Sequence, residues 1–235
     1  MKVLDLKAQA VTVDTREGVL AMVESDGALR LIRVRCPKLT IEELCSLNGK
    51  RCSLLVKALD LYLMSIDNTL LVTQDLVDIR KVLEVNVGNT LWHDCETPQG
   101  IIVQEYGKPP TSLWFSDNGY SWSRLLTNLE IDPRSKHFHN IAYDEYRDVV
   151  YATLGDGNPV RVVAIRDHTF KHLYRGPWQF VPIVVLKHIV VFGFDSGIAK
   201  GGIGMFYPEY EKWSFIFLEW VNKSVKTCQM CDLIQ

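Results

Sequence analysis

The residues of this chain whose types and spacing most favour chemistry are two histidines separated by one residue, His137 and His139. They begin the run His-Phe-His-Asn-Ile-Ala-Tyr-Asp, whose composition favours a β-strand. Alternate side chains of a strand point to the same side, so both imidazoles face one side of a sheet. Together with Asp156 they could bind a divalent metal ion. The alternative, which is the commoner situation, is that both rings form hydrogen bonds with backbone groups of nearby loops, in a channel filled with solvent.

Further candidates for ligand binding are titratable residues in or beside loops. They are His93, Glu105 and Asp195, and Asp26 and Asp67 stand in similar loops. A glycosidase needs only two carboxylates at a suitable separation, so Glu105, Asp156 and Asp195 are candidates for that chemistry. Aspartates beside glycines are more often turn formers, and we take that as the default.

Aromatic residues offer a second kind of contact with a ligand. Four tryptophans could stack on sugar rings, namely Trp92, Trp114, Trp178 and Trp220. In proteins built of packed β-sheets, the more usual role of tryptophan is packing between the sheets. The sequence contains no Gly-x-x-x-x-Gly-Lys-Ser/Thr, no Gly-x-Ser-x-Gly and no His-Glu-x-x-His motif. It therefore lacks the signatures of phosphate-binding loops, serine hydrolases of that type and zinc proteases of that type.

The composition is that of an ordinary folded protein. The chain has 235 residues, of which 47% are hydrophobic and 23% charged, with a formal net charge of -2. This charge gives no basic field for nucleic acid, so we expect no nucleic-acid partner. The first residues do not resemble a signal peptide, and no apolar run is long enough to cross a membrane. We therefore expect a cytoplasmic protein with no membrane association.

Six cysteines are present, and without a secretory signal reduced thiols are the default. Cys228 and Cys231 form a lone Cys-x-x-Cys near the end of the sequence. A four-cysteine zinc site usually needs two such pairs. Uninvolved thiols, a disulfide and a metal site all remain open for this pair.

The chain repeats a pattern of apolar runs with a period of about 40–50 residues, which is typical of propeller blades. The equivalent runs are 19–23, 61–65, 100–106, 149–154 and 189–194. Each is preceded by an apolar run and followed by an acidic or glycine-containing loop and a further run, and in the last three units a polar turn and a fourth run follow. Four short strands per unit, repeated five times, predict an all-β propeller. A β-sandwich with a long meander is the alternative, because it shares the strand count and the short turns.

The predicted propeller is one domain spanning residues 1–220. Its units are 1–48, 49–88, 89–132, 133–177 and 178–220, and residues 221–235 form a tail. In the first unit Thr40-Ile41-Glu42-Glu43-Leu44 carries a Thr-x-x-Glu capping signature, so we expect a short helix in place of its last strand. Met1–Leu6 could pair with the last unit and close the ring, which would remove the exposed edges.

One turn carries a family resemblance. The segment Asp117-Asn118-Gly119-Tyr120-Ser121-Trp122 resembles an Asp-box of the bacterial neuraminidase repeat. The match covers Asp117, Gly119, Ser121 and Trp122, whereas Phe115 stands where the family has Ser or Thr. The resemblance implies a sialidase-like propeller in which this motif is structural, on the turn between the third and fourth strands of a blade. The carboxylate could accept N–H groups of its own turn while the indole covers the hairpin.

The resemblance does not extend to sialidase chemistry. The Arg-Ile-Pro phrase that the family carries near its amino terminus is absent, and nothing marks Arg161 or Arg166 as members of an arginine triad. The phrases around His137 and Asp156 are similar to those of uncharacterised neuraminidase-like propellers, which implies that they point into the central channel.

Two functions follow from this sequence. The first is a non-catalytic binding module, monomeric or a small homo-oligomer, without a cofactor. It would recognise a glycan, a peptide or a protein partner at the face of the propeller where the central channel opens. The second is a glycosidase or lyase that uses channel carboxylates, with a divalent metal on the strand of His137 and His139.

Overall fold

The structure of the chain is a computed structural model that describes residues 7–14, 18–35, 38–156, 160–195 and 201–217. Within these ranges the chain forms twenty β-strands and one short helix. The strands form five four-stranded antiparallel sheets, each with its strands in chain order. The predicted all-β architecture of five four-stranded units is confirmed. Each of the five equivalent runs lies in the second strand of one sheet.

The first three sheets span the amino-terminal part of the described chain. Sheet 1 consists of β1 (Ala8–Asp14), β2 (Gly18–Ser25), β3 (Ala28–Arg35) and β4 (Thr40–Leu47). Sheet 2 consists of β5 (Cys52–Ala58), β6 (Leu61–Ile66), β7 (Thr69–Thr73) and β8 (Arg80–Glu84). Sheet 3 consists of β9 (Thr90–Thr97), β10 (Gly100–Tyr106), β11 (Ser112–Ser116) and β12 (Ser123–Thr127).

The last two sheets follow a single helical turn, α1 (Asn128–Ile131). Sheet 4 consists of β13 (His137–Asp144), β14 (Val149–Gly155), β15 (Val160–Arg166) and β16 (Thr169–Gly176). Sheet 5 consists of β17 (Phe180–Leu186), β18 (Ile189–Phe194), β19 (Gly202–Tyr207) and β20 (Lys212–Phe217).

The hydrophobic core is divided into layers between successive sheets. Leu20 and Met22 of sheet 1 pack against Tyr62 and Met64 of sheet 2. Equivalent layers join sheets 2 and 3, sheets 3 and 4, and sheets 4 and 5. A strand between two such layers is covered on both faces, and all six residues of β6 are buried. This explains why the second strands appear in the sequence as continuous apolar runs rather than as alternating patterns.

The first strands of consecutive sheets lie next to one another, since β5 contacts β1 and β9, and β13 contacts β9 and β17. The end at which these first strands begin and the second strands end is here called the entry end. It gathers the loops that follow β6, β10, β14 and β18. The candidate residues His137, Asp156 and Asp195 all belong to this end.

The prediction of a helix at Thr40–Leu44 is wrong, because these residues belong to strand β4. Glu42 forms an ion pair with Arg35, and Glu43 forms one with Arg30, both across the β3–β4 ladder. Glu43 is therefore engaged by the neighbouring strand instead of capping a helix. These cross-strand pairs and the register of Leu31 with Cys45 outweigh the local capping signature.

A capping box does form elsewhere in the chain. Thr127 accepts the backbone N–H of Glu130 through its hydroxyl, and the Glu130 carboxylate accepts the backbone N–H of Thr127. This reciprocal pair begins the helix α1. The helix places Asp132 against Arg161, which is 1% exposed.

The turn that resembles an Asp-box joins β11 to β12, the third and fourth strands of sheet 3. Its backbone amides donate to Ser116 Oγ and Asn118 Oδ1, at 2.8 Å from Gly119 N and 2.8 Å from Tyr120 N. These two side chains take the place predicted for the Asp117 carboxylate, which is exposed. The Trp122 indole donates to Gly119 O at 3.0 Å and covers the turn as expected.

Several predictions concern residues outside the described ranges. The closing strand at Met1–Leu6, Cys36, Trp220, the Cys228/Cys231 pair and the tail 221–235 all lie there, so ring closure stays a prediction. Cys45, Cys52 and Cys95, which are described, are free thiols. In the described part of the chain, no helix has the length and hydropathy needed to cross a membrane.

Candidate functional site

At the entry end of sheet 4, His137, His139 and Asp156 come together; these three residues are here called the imidazole cluster. His137 is the first residue of β13 and lies opposite Gly155 of β14. Asp156 directly follows β14. The pairing of β13 with β14 shifts between Phe138 and Asn140, so His139 sits at a β-bulge. Bulges re-aim side chains, and this one lets the ring of His139 approach that of His137.

The polar atoms of the imidazole cluster face one another. His137 Nε2 lies 3.1 Å from His139 Nε2. The Asp156 carboxylate oxygens lie 3.4 Å from His137 Nε2 and 3.6 Å from His139 Nε2. One ligand atom of each residue falls within 4.8 Å of the others. The structure thus brings together the three residues that the sequence offered as metal ligands.

The orientation of His137 is fixed by its other ring nitrogen. His137 Nδ1 lies 2.8 Å from the carbonyl oxygen of Gly107. Because a carbonyl only accepts, Nδ1 carries the proton and the Nε2 of a neutral His137 presents a lone pair. The ring of Tyr106 packs against the same imidazole, with ring centroids 4.2 Å apart.

Two glycines and a glutamine shape the backbone around the imidazole cluster. A Cβ on Gly155 would lie 2.5 Å from His139 Nε2, so glycine is required for the imidazole to occupy its place. Gly107, which holds His137, has a φ of 143°, in the region that favours glycine. Asp156 has a φ of 53°, and its N–H donates to Gln179 Oε1 at 3.2 Å. Gln179 also accepts the N–H of Asp195 on its backbone oxygen at 2.9 Å.

Burial controls the electrostatics of this site. It lowers the pKa of His139 to about 4, with His137 acting in the same direction and Asp156 opposing. His139 is therefore neutral near pH 7. Burial also lowers the pKa of His93 and raises that of Tyr106, and for Tyr106 the carboxylates of Asp156 and Asp195 contribute. The charge of Asp195 raises the pKa of His139, and that of His93 lowers it.

A cationic cleft adjoins the site. It is lined by Gln9, Lys50, Arg51, Cys52, Ser53 and Trp92. The Arg51 guanidinium carbon lies 5.6 Å from the centroid of the Trp92 ring, a cation–π distance. Trp92 also contacts Tyr106 edge-on, with centroids 4.4 Å apart, and Tyr106 touches His137. An aromatic chain therefore connects the cleft to the imidazole cluster.

Glu105 lies outside the imidazole cluster, because its side chain is 2% exposed and its carboxylate is already engaged. Oε1 accepts from Asn89 Nδ2 at 2.7 Å, and Oε2 accepts from Ser112 N at 3.1 Å and Trp114 Nε1 at 3.3 Å. This carboxylate joins β10 to its neighbours, and we leave it out of the proposed site.

The acidic loop residues of sheets 1 and 2 form turns, in line with the default interpretation. The carboxylate of Asp67 accepts the backbone N–H of Arg51 at 3.1 Å and of Lys50 at 3.2 Å. Asp26 has a φ of 54° and pairs with Arg30 at 3.1 Å. Asp67 therefore also fixes the backbone that presents Lys50 and Arg51 to the cleft.

The remaining aromatic and cationic candidates have packing partners. Trp114 joins the core layer between sheets 2 and 3, and Trp178 stacks on Phe194 with an interplanar angle of 5°. Arg161 is buried against Asp132, and the Arg166 side chain donates to Asp148 O at 3.0 Å. Neither arginine belongs to the entry-end site.

Comparisons with known proteins show the fold alone. No family model and no curated protein matches the chain. The GH74 enzyme of Niastella koreensis is similar in structure, with a TM-score of 0.64 and 11% identity over 88% of this chain and 38% of that one. Puromycin hydrolase matches with a TM-score of 0.61 and 13% identity, over 90% of this chain and 38% of that one. Both are propeller enzymes, and this chain spans well under half of either.

A third neighbour is a chain of a nidogen/laminin complex. Its TM-score is 0.57 at 9% identity, and the match covers 85% of this chain and 75% of that one. Propeller-like neighbours therefore include enzymes and a chain crystallised with a protein partner. The β-propeller fold is supported, and the choice between binding and catalysis depends on the site itself.

Sequence reasoning missed four residues that hold the site together: Tyr106, Gly107, Gly155 and Gln179. Tyr106 and Gly107 follow one another at the end of a predicted strand, where glycine signals an unusual backbone. Gly155 precedes the candidate Asp156, so a requirement for close approach was detectable there. Nothing local marks Gln179, because its role depends on the contact between sheets 4 and 5.

At the opposite end of the first strands, Asp94 of β9 lines a cavity together with Glu96 and Glu145. Burial, and secondarily Glu96, raises the pKa of Asp94 from 3.8 to about 6. Between pH 3.8 and about pH 6 the folded chain therefore retains a proton that the unfolded chain releases. As the pH rises through this range, Asp94 lowers the free energy of unfolding.

We expect Asp94→Asn to raise the free energy of unfolding by about 2 kcal/mol at pH 8 and by about 0.5 kcal/mol at pH 4. Urea unfolding at both pH values measures this difference. The matched control is Asp117→Asn, an exposed aspartate in the turn between β11 and β12 of sheet 3. A gain that does not change with pH would contradict the assignment.

Proposed function

We propose that this chain is a non-catalytic β-propeller binding module that recognises an anionic glycan at the entry end. The observation that carries this function is the convergence of His137, His139 and Asp156, whose polar atoms face one another, with the ring of Tyr106 packed against His137. The side chains of His137 and His139 are 7% and 6% exposed, whereas that of Asp156 is 40% exposed. The cluster is therefore held rigidly and open on one side.

The adjoining cleft supports an anionic ligand. Lys50 and Arg51 supply two cationic groups, and a guanidinium matches the planar geometry of a carboxylate. Trp92 and Tyr106 supply the aromatic surface that binding sites commonly present to the apolar faces of a ligand. Both come from sheet 3, whereas Arg51 comes from the loop before β5. A ligand that spans the cleft and the cluster would contact sheets 2, 3 and 4 together.

A glycosidase mechanism is less well supported. It requires two free carboxylates on opposite sides of a glycosidic bond. Glu105 is occupied by three donors, and Asp156 faces two imidazoles. We therefore assign these residues to structure and to binding, respectively.

The experiment is a glycan array with neutral and acidic members, followed by calorimetric titration of the best ligand. We expect acidic glycans to bind and Arg51→Ala to weaken binding by at least about tenfold, because one charge-assisted contact is lost. The matched control is Arg80→Ala, an exposed arginine of strand β8 in sheet 2 that pairs with Asp78. It should bind as the wild type does.

Three outcomes would contradict this function. They are no glycan retained on the array, equal binding of neutral and acidic glycans, and turnover of chromogenic glycosides that Asp156→Asn abolishes in a folded protein. The last outcome would assign the site to an enzyme.

A further inference from the structure

The imidazole cluster contains three potential ligand atoms around one point, and only the two nitrogens lie at a hydrogen-bond distance from each other. Only the 3.1 Å separation of the two Nε2 atoms is a hydrogen-bond distance. The Asp156 oxygens lie at 3.4 and 3.6 Å from these nitrogens, longer than an ordinary charge-assisted contact. The carboxylate makes no short contact with either imidazole, so the point that the three ligand atoms surround can accept a further group.

The tautomer of His137 strengthens this interpretation. Its Nδ1–H donates to Gly107 O, so its Nε2 lone pair is aimed at His139. In metal-binding histidines the N–H of the second ring nitrogen commonly donates to a backbone carbonyl, which fixes the ring and increases the basicity of the ligating nitrogen. The contact with Gly107 O is of this kind.

We propose that His137, His139 and Asp156 bind one divalent first-row transition-metal ion, such as Zn²⁺, through two Nε2 atoms and one carboxylate oxygen. Three protein ligands leave a coordination position open on the exposed side of Asp156. This ion site rests on the proposed function in one respect, because the open position is where an anionic oxygen of the glycan would bind. The binding of the ion itself depends only on the three side chains.

The ligand set and its dimensions favour a small transition metal. Imidazole nitrogen suits Zn²⁺, Ni²⁺, Co²⁺ and Fe²⁺, whereas Ca²⁺ and Mg²⁺ prefer oxygen ligands. Two nitrogens at zinc–nitrogen bond length and tetrahedral angle are about 3.3 Å apart. The observed 3.1 Å is close to that value, so binding requires small shifts of the two rings and a His139 tautomer that carries its proton on Nδ1.

The surrounding residues hold the cluster in this geometry. Gly155 leaves room for the ring of His139, and Gln179 holds the backbone of Asp156 at its positive φ. Tyr106 packs on His137 and limits its rotation. These contacts come from sheets 3, 4 and 5, so the folded chain presents the ligands already oriented.

The test is a calorimetric titration of the metal-free full chain with Zn²⁺, repeated with Co²⁺ while visible absorption is recorded. Cys228 and Cys231 are replaced by serine throughout, because a Cys-x-x-Cys can bind zinc independently. We expect one ion per chain. We expect His139→Gln to weaken binding by at least about 100-fold and Asp156→Asn by at least about tenfold.

The matched control is His188→Gln. His188 is an exposed histidine that also faces a carboxylate, with Nδ1 3.2 Å from Glu209 Oε1. Its replacement should change Zn²⁺ affinity by less than about twofold, because one exposed histidine–carboxylate pair is a weak site. Thermal unfolding of each variant verifies that it is folded, and Asp156→Asn serves if His139→Gln does not fold.

Binding of less than one ion per chain, or equal affinity in the wild type and the folded cluster variants, would overturn the ion site. If a glycan binds with equal affinity before and after a chelator removes the ion, the ion has no role in glycan binding, and the proposed function is unaffected. If one ion binds and the cluster variants lose Zn²⁺ affinity as expected, but the array retains no glycan, the ion site is supported and the proposed function is contradicted.

Discussion

Replacing Glu105 by alanine is expected to lower the free energy of unfolding by about 3 kcal/mol. The carboxylate is buried and accepts hydrogen bonds from Asn89, Ser112 and Trp114. Its removal leaves three donors without their acceptor, and each buried unsatisfied group costs about 1–3 kcal/mol. For a domain of this size the midpoint of thermal unfolding should fall by about 6–12 °C. Denaturant unfolding and calorimetry measure both quantities.

The matched control is Glu84→Ala, an exposed strand glutamate that pairs with Lys81. It should leave the stability close to that of the wild type, because exposed ion pairs contribute little. Glu105→Gln should fall between the wild type and Glu105→Ala, since its remaining oxygen still accepts from two of the three donors. Equal stabilities of Glu105→Ala and Glu84→Ala would show that this carboxylate is not a structural acceptor.

Replacing Gly155 by alanine should weaken Zn²⁺ binding by at least about tenfold without unfolding the protein. The added Cβ would lie 2.5 Å from Nε2 of His139 and 2.7 Å from its Cδ2, so the ring must leave its position. The backbone of Gly155 is not in the left-handed region, so alanine is tolerated by the strand itself. Calorimetric titration of the metal-free variant measures the affinity.

Gly201→Ala is the control for this variant. Among the described residues, apart from its own neighbours in the chain, no atom lies within 4 Å of the Cβ that it would add. Its Zn²⁺ affinity should match that of the wild type. If both glycine variants bind Zn²⁺ equally well, the position of the His139 ring does not control the site.

Much of the fold was predictable because each sheet repeats the same physical solution. The second strand of a central sheet is covered on both faces, so runs such as Leu61–Ile66 stand out at a regular period. The error at Thr40–Leu44 arose because a capping signature is local, whereas the partners of Glu42 and Glu43 are arginines on the neighbouring strand. Local signals of that kind do not include cross-strand pairing.

The candidate site was predictable only in part. The spacing of His137 and His139 placed them on one strand face, and Asp156 followed from the face of a propeller that the loops joining second and third strands share. Glu105 resembled a loop carboxylate in the sequence, yet its hydrogen bonds to Asn89 and Ser112 depend on the three-dimensional packing of sheet 3. The supporting role of Gln179 depends on contact between sheets, which residue order alone does not specify.

The most direct test of the account is anomalous diffraction at the zinc absorption edge from crystals of the full chain grown with Zn²⁺. We expect one peak between the imidazoles, at about 2.1 Å from Nε2 of His137, from Nε2 of His139 and from an oxygen of Asp156. A map with no peak at these three residues, or with a peak only at Cys228 and Cys231, would contradict it.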